Sequence, residues 1–281
     1  MAQAGQVGEM LGGGELVTVS SDGELGDKGR FVRGVERALL DERADVGVHS
    51  AKDLPAETAE GLMLAAVPVR EDARDAWVGV GGSMEEVPAG ARVGTASLRR
   101  RAQLLAARPD LEVSELHGNV DTRLRKLDEG ELDAIVLAVA GLRRLGRAGE
   151  VAFAIPAETM TPAAGQGSLV LQVREGDDAA LAAVEGAVDP PALRELTAER
   201  AVVALLGATC NSPIGVHASV DLTAGTMRIE AFVGLPDGSE WLRDTLEGDH
   251  AEPALLGAEI AKRLLDTGAR EMLDRAETWG A

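Results

Sequence analysis

Short runs of β-branched and aliphatic residues alternate with longer stretches of helical period along this 281-residue chain. That alternation restricts it to an α/β architecture in which helices cover sheets. Strands are expected at residues 16–19, 45–49, 63–69, 76–80, 92–95, 134–140, 168–173, 215–222 and 227–235. Helices are expected at 29–40, 97–107, 120–127, 192–206 and 253–267. The last two strands read differently from the others. Thr223-Ala-Gly-Thr226 joins them as a hairpin-like turn, so an antiparallel α+β module is expected from about Asp189-Pro-Pro191 onward. Turn-rich Gly81-Gly-Ser83 and Val87-Pro-Ala-Gly90 suggest a further break before Arg92, giving three modules. Aromatic residues make up only 2% of the chain and Tyr is absent, so Ala, Val and Leu must fill the cores.

Composition closes off several functions. Lys and Arg number 28 against 47 Asp and Glu, a net charge of −19. A protein that coats nucleic acid needs a basic surface, so no nucleic-acid partner is expected. Any anion site must be a local basic pocket within a repelling field. Cys210 is the only cysteine, which excludes a disulfide framework and a multi-thiolate zinc site. His49, His117, His217 and His250 form no short-spaced ligand pair, and no metal is expected. No apolar run approaches the ~20 residues needed to cross a bilayer. Met1-Ala-Gln-Ala-Gly5 has neither a basic start nor the apolar core of a signal peptide, so a cytoplasmic protein without a membrane partner is expected. No G-x-G-x-x-G or Walker A loop supports nucleotide binding.

Within the acidic total, arginines cluster where strands end and helices begin. Val46-Gly-Val-His-Ser-Ala-Lys-Asp-Leu-Pro55 puts Lys52 and Asp53 after a buried-looking strand, at the end that faces the ligand crevice in open α/β sheets. The same residues also suit a turn whose Asp accepts backbone N–H bonds. In Val93-Gly-Thr-Ala-Ser-Leu-Arg-Arg-Arg101 a strand leads into a helix with Arg99, Arg100 and Arg101 in its first turn. The helix dipole disfavours cations there, so an anionic ligand is the expected compensation, with a solvated basic face as the alternative. His117-Gly-Asn-Val-Asp-Thr-Arg-Leu-Arg125 repeats the pattern, with Asn119 or Asp121 as cap. Leu142-Arg-Arg-Leu145 follows another buried run. Together these imply a pocket for a carboxylate- or phosphate-rich ligand, since the planar guanidinium fork suits bidentate binding of carboxylates. Pro162-Ala-Ala-Gly-Gln-Gly167 allows close backbone approach, or is a structural turn. Cys210 lies in the small, polar stretch Gly207-Ala-Thr-Cys-Asn-Ser-Pro-Ile-Gly215, where a reactive and an inert thiol fit equally well.

Six of these stretches occur in one order: Val48-His-Ser-Ala-Lys-Asp-Leu-Pro55, Gly94-Thr-Ala-Ser-Leu-Arg-Arg100, Gly118-Asn-Val-Asp-Thr-Arg-Leu124, Leu137-Ala-Val-Ala-Gly-Leu-Arg-Arg-Leu-Gly146, Pro162-Ala-Ala-Gly-Gln-Gly167 and Cys210-Asn-Ser-Pro-Ile-Gly215. In that order the chain closely resembles the hydroxymethylbilane synthase (porphobilinogen deaminase) family, from about Lys28 to the C-terminus. The resemblance implies two lobes like those of periplasmic binding proteins and a smaller C-terminal α+β domain that presents the cofactor cysteine. The domains expected here are residues 1–70 with 168–187, residues 71–167, and residues 188–281. The implied activity is a transferase of tetrapyrrole (haem, porphyrin) biosynthesis. It joins four porphobilinogen molecules head to tail, releases ammonia each time, and hydrolyses the product to hydroxymethylbilane.

By position, Cys210 matches the residue that carries the dipyrromethane cofactor through a thioether, and Asp53 matches the catalytic aspartate. Such a carboxylate accepts pyrrole N–H bonds and stabilises the cation left as ammonia departs. Arg99, Arg100, Arg123 and Arg144 match positions that bind the acetate and propionate groups of the substrate and growing polypyrrole chain, with Lys52, Thr95, Ser97 and Gln166 nearby. Lys28 matches a basic residue on a loop over the cleft, Phe31 packs beside the pyrroles, and Arg33 belongs to the same segment. His117 stands where an arginine is common, which would make one ligand contact depend on pH. A monomer is expected.

The family opens with a strand and an Arg-x-Ser-x-Leu-Ala segment, and Met1-Ala-Gln-Ala4 aligns just after it. A late start or a missing first strand is therefore expected, and the segment between Val19 and Lys28 is shorter than usual. The corresponding alternative function is a catalytically impaired, two-lobed carboxylate-binding protein. A cysteine acyltransferase is a third reading, disfavoured because no motif sets a His beside Cys210.

Overall fold

The computed structural model describes residues 28–279 apart from Ala56 and Cys210. In chain order, α1 (Lys28–Leu40), β1 (Gly47–Ser50), a 3-10 turn (Ala51–Asp53) and β2 (Leu62–Ala66) come first. Then follow β3 (Asp75–Gly79), β4 (Arg92–Gly94), α2 (Leu98–Ala107), β5 (Glu112–Ser114), α3 (Val120–Asp128), β6 (Ala134–Ala138), α4 (Val139–Arg144) and β7 (Phe153–Ala154). The chain returns through β8 (Leu169–Arg174) and α5 (Asp178–Val184) to α6 (Pro190–Leu206), β9 (Ile214–Asp221), β10 (Thr226–Gly234), β11 (Trp241–Asp249), α7 (Pro253–Asp266) and α8 (Ala269–Glu277).

These strands form three separate sheets. The first has the order β1-β8-β2, with β8 antiparallel to both neighbours. The second, β5-β4-β6-β3-β7, is parallel across β5, β4 and β6 and antiparallel across β6, β3 and β7. The third is the antiparallel β11-β10-β9. Two crossings, residues 67–74 and 155–168, connect the first sheet to the second.

Each core follows from strand alternation. In the second sheet Trp77 and Val136 face one layer with Val93, Leu104 and Ile155, while Ala76, Val78, Ile135 and Leu137 face the other with Leu124 and Leu142. In β8, Leu169, Leu171 and Val173 pack against α5, and Val170 packs on the opposite side against Ala192 and Leu196 of α6. The third sheet buries Val216, Ile229, Ala231 and Val233 under α6, α7 and α8. Asp189 starts α6 as its cap, accepting the Ala192 N–H at 2.9 Å, with prolines in the first turn where their missing N–H costs nothing.

Several boundaries differ from the sequence expectation. The run expected as a strand to Ala140 ends at Ala138, and Val139 opens α4, its N–H bonded to the Arg74 carbonyl. The turn-rich stretch before Arg92 is no module break, because β3 and β4 both flank β6. Lys28 begins a helix rather than a loop. Unexpected strands β5 and β7 have three and two residues, too few for a period to register, and they exist through pairing with β4 and β3. β11 is an edge strand of mostly polar residues, and its ladder with β10 makes it a strand. The strand expected at 16–19 lies outside the described residues.

Candidate functional site

The segment that holds Lys52 and Asp53 is one tight turn at the end of β1. The Leu54 N–H donates to the Ala51 carbonyl, and Pro55 keeps Leu54 extended, so the helical turn stops after three residues. The second crossing packs directly on this turn. Gly165 has φ +71°, and a Cβ there would sit 2.7 Å from the Ala51 Cβ. Gly167 has φ +90° and would clash with the Glu71 carbonyl of the first crossing. The two glycines thus let Gln166 sit buried between three backbone segments. Gln166 accepts from Lys52 Nζ at 3.3 Å and donates to the Ala73 carbonyl at 2.7 Å and to Asp75 Oδ1 at 3.0 Å.

The first turn of α2 supplies the guanidinium groups. Ser97 caps the helix, its Oγ accepting the Arg100 N–H at 3.4 Å, while Thr95 Oγ1 accepts the Ser97 N–H. The anion that compensates Arg99 and Arg100 is internal. Asp75, wholly buried at the start of β3, accepts from Arg99 through both carboxylate oxygens at 2.6 and 3.1 Å. Its Oδ1 also accepts from Arg100 Nε at 2.9 Å and lies 2.8 Å from Arg100 Nη2. Burial alone would raise the Asp75 carboxyl, but Arg100 and Arg99 hold it well below the usual carboxylate range. Burial pulls Arg100 down from its usual value against that attraction. Arg99 and Arg100 further donate to the carbonyls of Thr161 and Val136. Arg101 turns away to the Val113 carbonyl.

Both groups meet in a cavity of about 370 Å³. Lys52, Asp53, Ser97, Arg99, Arg100 and Gln166 line it, together with Arg33 and Glu36 of α1 and Arg200 of α6. Thr209 and Ser212 form its wall on the third-sheet side. They are tied into a turn, Ser212 Oγ accepting the Thr209 N–H at 2.9 Å. Cys210, between them in sequence, is outside the described residues. Behind Asp53, a buried chain runs from His49 Nε2 to Gln172 Oε1 at 2.9 Å and from Gln172 Nε2 to Glu36 Oε1 at 3.5 Å. Burial lowers the His49 imidazole from its usual value, while the Gln172 bond and the Asp53 charge oppose that.

Other expected residues lie beyond the cavity wall. Thr95 is buried behind Ser97. Asn119, rather than Asp121, caps α3, accepting the Thr122 N–H at 2.8 Å, and Arg123 folds back to donate to the Gly118 carbonyl. Burial lowers the Arg123 guanidinium, and the Arg100 charge adds to this. Arg144 donates to the Gly167 carbonyl at 2.7 Å, and its buried Nε has no acceptor among the described residues. Burial also lowers Arg144, against the pull of Glu71. Among the described residues neither Arg123 nor Arg144 has a carboxylate within 4.0 Å. Phe31 is half exposed, and His117 is exposed and contacts Glu115 at 3.0 Å. Lys28 lies in the first turn of α1.

Sequence reasoning missed Asp75 and a second buried cluster beside it. Arg70, on the first crossing, donates to Glu199 at 2.7 and 3.2 Å and to Glu195 at 3.3 Å. Glu199 also accepts the N–H groups of Gly165 and Ala218. The only trace of both clusters is the charged run Arg70-Glu-Asp-Ala-Arg-Asp75 between two apolar strands.

Residues 8–182 match the family model described as porphobilinogen deaminase, dipyromethane cofactor binding domain, and residues 193–266 match that of the porphobilinogen deaminase C-terminal domain. A porphobilinogen deaminase of Thermus thermophilus is 45% identical over 265 residues, covering 92% of this chain and 87% of its own. One from Thiobacillus denitrificans is 46% identical over 252 residues, covering 89% and 82%. Among solved structures, a YaeC-family lipoprotein of Enterococcus faecalis has a TM-score of 0.40 at 16% identity, covering 66% of this chain and 83% of that one.

Proposed function

The chain belongs to the porphobilinogen deaminase family, and from that premise we propose that the cavity between Asp53 and the Thr209–Ser212 turn is its catalytic centre. The enzyme is a transferase that condenses four porphobilinogen molecules into hydroxymethylbilane with release of ammonia. It uses the family's dipyrromethane cofactor. The carrying observation is that Lys52, Asp53, Arg99, Arg100 and Gln166, drawn from three distant segments, share one cavity with the residues that flank Cys210.

The donor set suits a dipyrrole bearing acetate and propionate groups, because guanidinium and ammonium groups outnumber the carboxylates of that wall. Cys210 is assigned as the thioether attachment point. When bound, the cofactor supplies the free pyrrole carbon from which the chain is extended. Arg99, Arg100, Lys52 and Ser97 hold its carboxylates, and Gln166 lines the same wall and orients Lys52. Arg123, Arg144 and Thr95 extend the basic wall behind them, while Arg33, Lys28 and Phe31 stand at the α1 side, where substrate enters. Asp53 accepts the pyrrole N–H, stabilises the positive charge that develops as the amine leaves, and carries a proton between groups that gain and lose one. The low dielectric of the cavity strengthens each of these interactions.

Three domains follow the three sheets in this reading, with residues 1–70 and 168–187, 71–167, and 188–281. We read the enzyme as a cytoplasmic monomer. No helix among the described residues is long and apolar enough to cross a membrane.

The test is intact-mass measurement under denaturing conditions on protein from cells that make porphobilinogen. A covalent adduct is expected on the wild type and absent from Cys210→Ala. Asp53→Asn is expected to keep the adduct while turnover falls at least about a hundredfold. A bare wild-type polypeptide, or near-normal ammonia release by Asp53→Asn, would sink the reading.

A further inference from the structure

We propose that Asp75 is a positioning residue for carboxylate recognition: it shares one buried carboxylate between Arg99 and Arg100, fixes both guanidinium planes, and leaves the trio one net positive charge facing the cavity. The inference rests on the cavity being the pyrrole-carboxylate site. Its basis is the geometry around Asp75. Arg99 is gripped end-on through Nη1 and Nη2, and Arg100 side-on through Nε and Nη2. Two contact points per guanidinium remove rotation about the last bond, which one contact would permit.

A guanidinium carries five N–H groups. Arg99 gives three hydrogen bonds to protein acceptors, two to Asp75 and one to the Thr161 carbonyl. Arg100 donates through Nε to Asp75 and through Nη1 to Val136, with Nη2 beside Asp75. Each fork therefore keeps N–H groups in reserve, and both side chains line the cavity. Without an interior anion, two adjacent buried guanidiniums would repel and turn toward solvent. With one, half of their charge is met inside the protein and half is left to face the cavity. A single ligand carboxylate would complete a two-by-two arrangement.

Asp75 also ties the site to the two crossings. Gln166 donates to the same Oδ1 and accepts from Lys52, so three cations of the cavity wall are referenced to one buried oxygen. The Asp75 carbonyl in turn accepts the Ile155 N–H of the second crossing. The forks are thereby fixed to the backbone joining the two lobes rather than to a surface loop.

The experiment compares wild type, Asp75→Asn, Asp75→Glu, Arg100→Lys and the double variant Asp75→Asn/Arg100→Lys. All are produced in porphobilinogen-making cells. Adduct loading is read by intact mass, KM and kcat on the loaded fraction, and folding by thermal unfolding. Asp75→Asn keeps the shape and one acceptor but removes the charge. It is expected to lower loading and raise KM by about tenfold to a hundredfold, the loss from one or two misaligned charge-assisted hydrogen bonds, with kcat changed less than about threefold. In the Arg100→Lys background, which has no planar fork to align, the same substitution is expected to add little.

A folded Asp75→Asn protein that loads fully with an unchanged or lower KM overturns the inference, as do KM effects that simply multiply in the double variant. If Asp75→Asn does not fold, Asp75→Glu decides, since it keeps the charge and shifts both forks by one methylene. A raised KM there supports the inference and wild-type loading with wild-type KM overturns it. A wild type without adduct defeats the functional reading itself, whereas a loaded wild type with an indifferent Asp75→Asn defeats only this inference.

Discussion

Arg70 lies on the first crossing and Asp75 opens the strand that follows it, both with buried side chains, yet their charge stoichiometry is opposite. Arg70 is one cation facing two carboxylates, Glu199 and Glu195, and the remaining Glu199 lone pairs are taken by the Gly165 and Ala218 N–H groups. Asp75 is one anion facing two cations, Arg99 and Arg100, which retain donors toward a cavity. The first cluster joins the crossings to α6 and β9. The second faces a cavity whose chemistry calls for an anion. Within a few residues of chain, which sign is in excess separates a closed joint from the cavity wall proposed to bind carboxylates.

The largest effect should come from breaking the closed cluster. Arg70→Ala leaves Glu199 as an uncompensated buried charge and is expected to cost about 3–5 kcal/mol of unfolding free energy in urea denaturation. A loss below about 1 kcal/mol would remove the contrast between joint and site.

Acid should separate the two proteins next. Burial raises Glu199, but Arg70 and His217 more than offset it, so its folded pKa lies below the ordinary value. It therefore stabilises the fold above the usual Glu range, near pH ~4.3, and this is lost as pH falls through the lowered value. Glu195 is raised by burial, so it acts in the reverse direction and favours the fold as pH falls through its own value. In Arg70→Ala, Glu199 loses its main partner and joins Glu195 in that behaviour. From about pH 5 to pH 3.5, the wild type is expected to lose stability more steeply than the variant. Parallel curves would contradict the assignment.

Arg144→Ala and Arg123→Ala probe the open side. Each removes a partly buried cation with no carboxylate within 4.0 Å among the described residues. Each is expected to raise KM about tenfold while unfolding free energy moves by no more than about 1 kcal/mol. A large stability loss with normal KM would make them structural like Arg70. The smallest effect belongs to His117→Ala. Its ring is exposed against Glu115, so stability should shift within about 0.5 kcal/mol and KM by less than about twofold. A pH-dependent KM that disappears in this variant would return His117 to the site.

Local signals carried far in this chain despite its few aromatics. Ser97 and Asn119 act as caps where Ser and Asn precede a helical period. Pro55 ends the turn that holds Lys52 and Asp53, and Gly165 and Gly167 mark a close backbone approach. The arginines at helix starts signalled a charge in need of an anion, and for Arg99 and Arg100 the fold supplies one in Asp75. The identity of the compensating anion was not legible, because Asp75 sits 24 and 25 positions from its partners in a run of ordinary-looking charges. Likewise β5, β7 and β11 show no hydrophobic period of their own and owe their state to neighbouring strands.

By itself the sequence determined the α/β alternation, the caps and turns, and the residue types gathered at strand ends, since these depend on contacts within a few positions. The tertiary structure alone decided which charges meet, which of them are buried, and that Asp53, Gln166 and two arginines share one cavity. Charge pairing in a low-dielectric interior depends on distances between remote segments, and those are set only when the sheets and their two crossings have packed together.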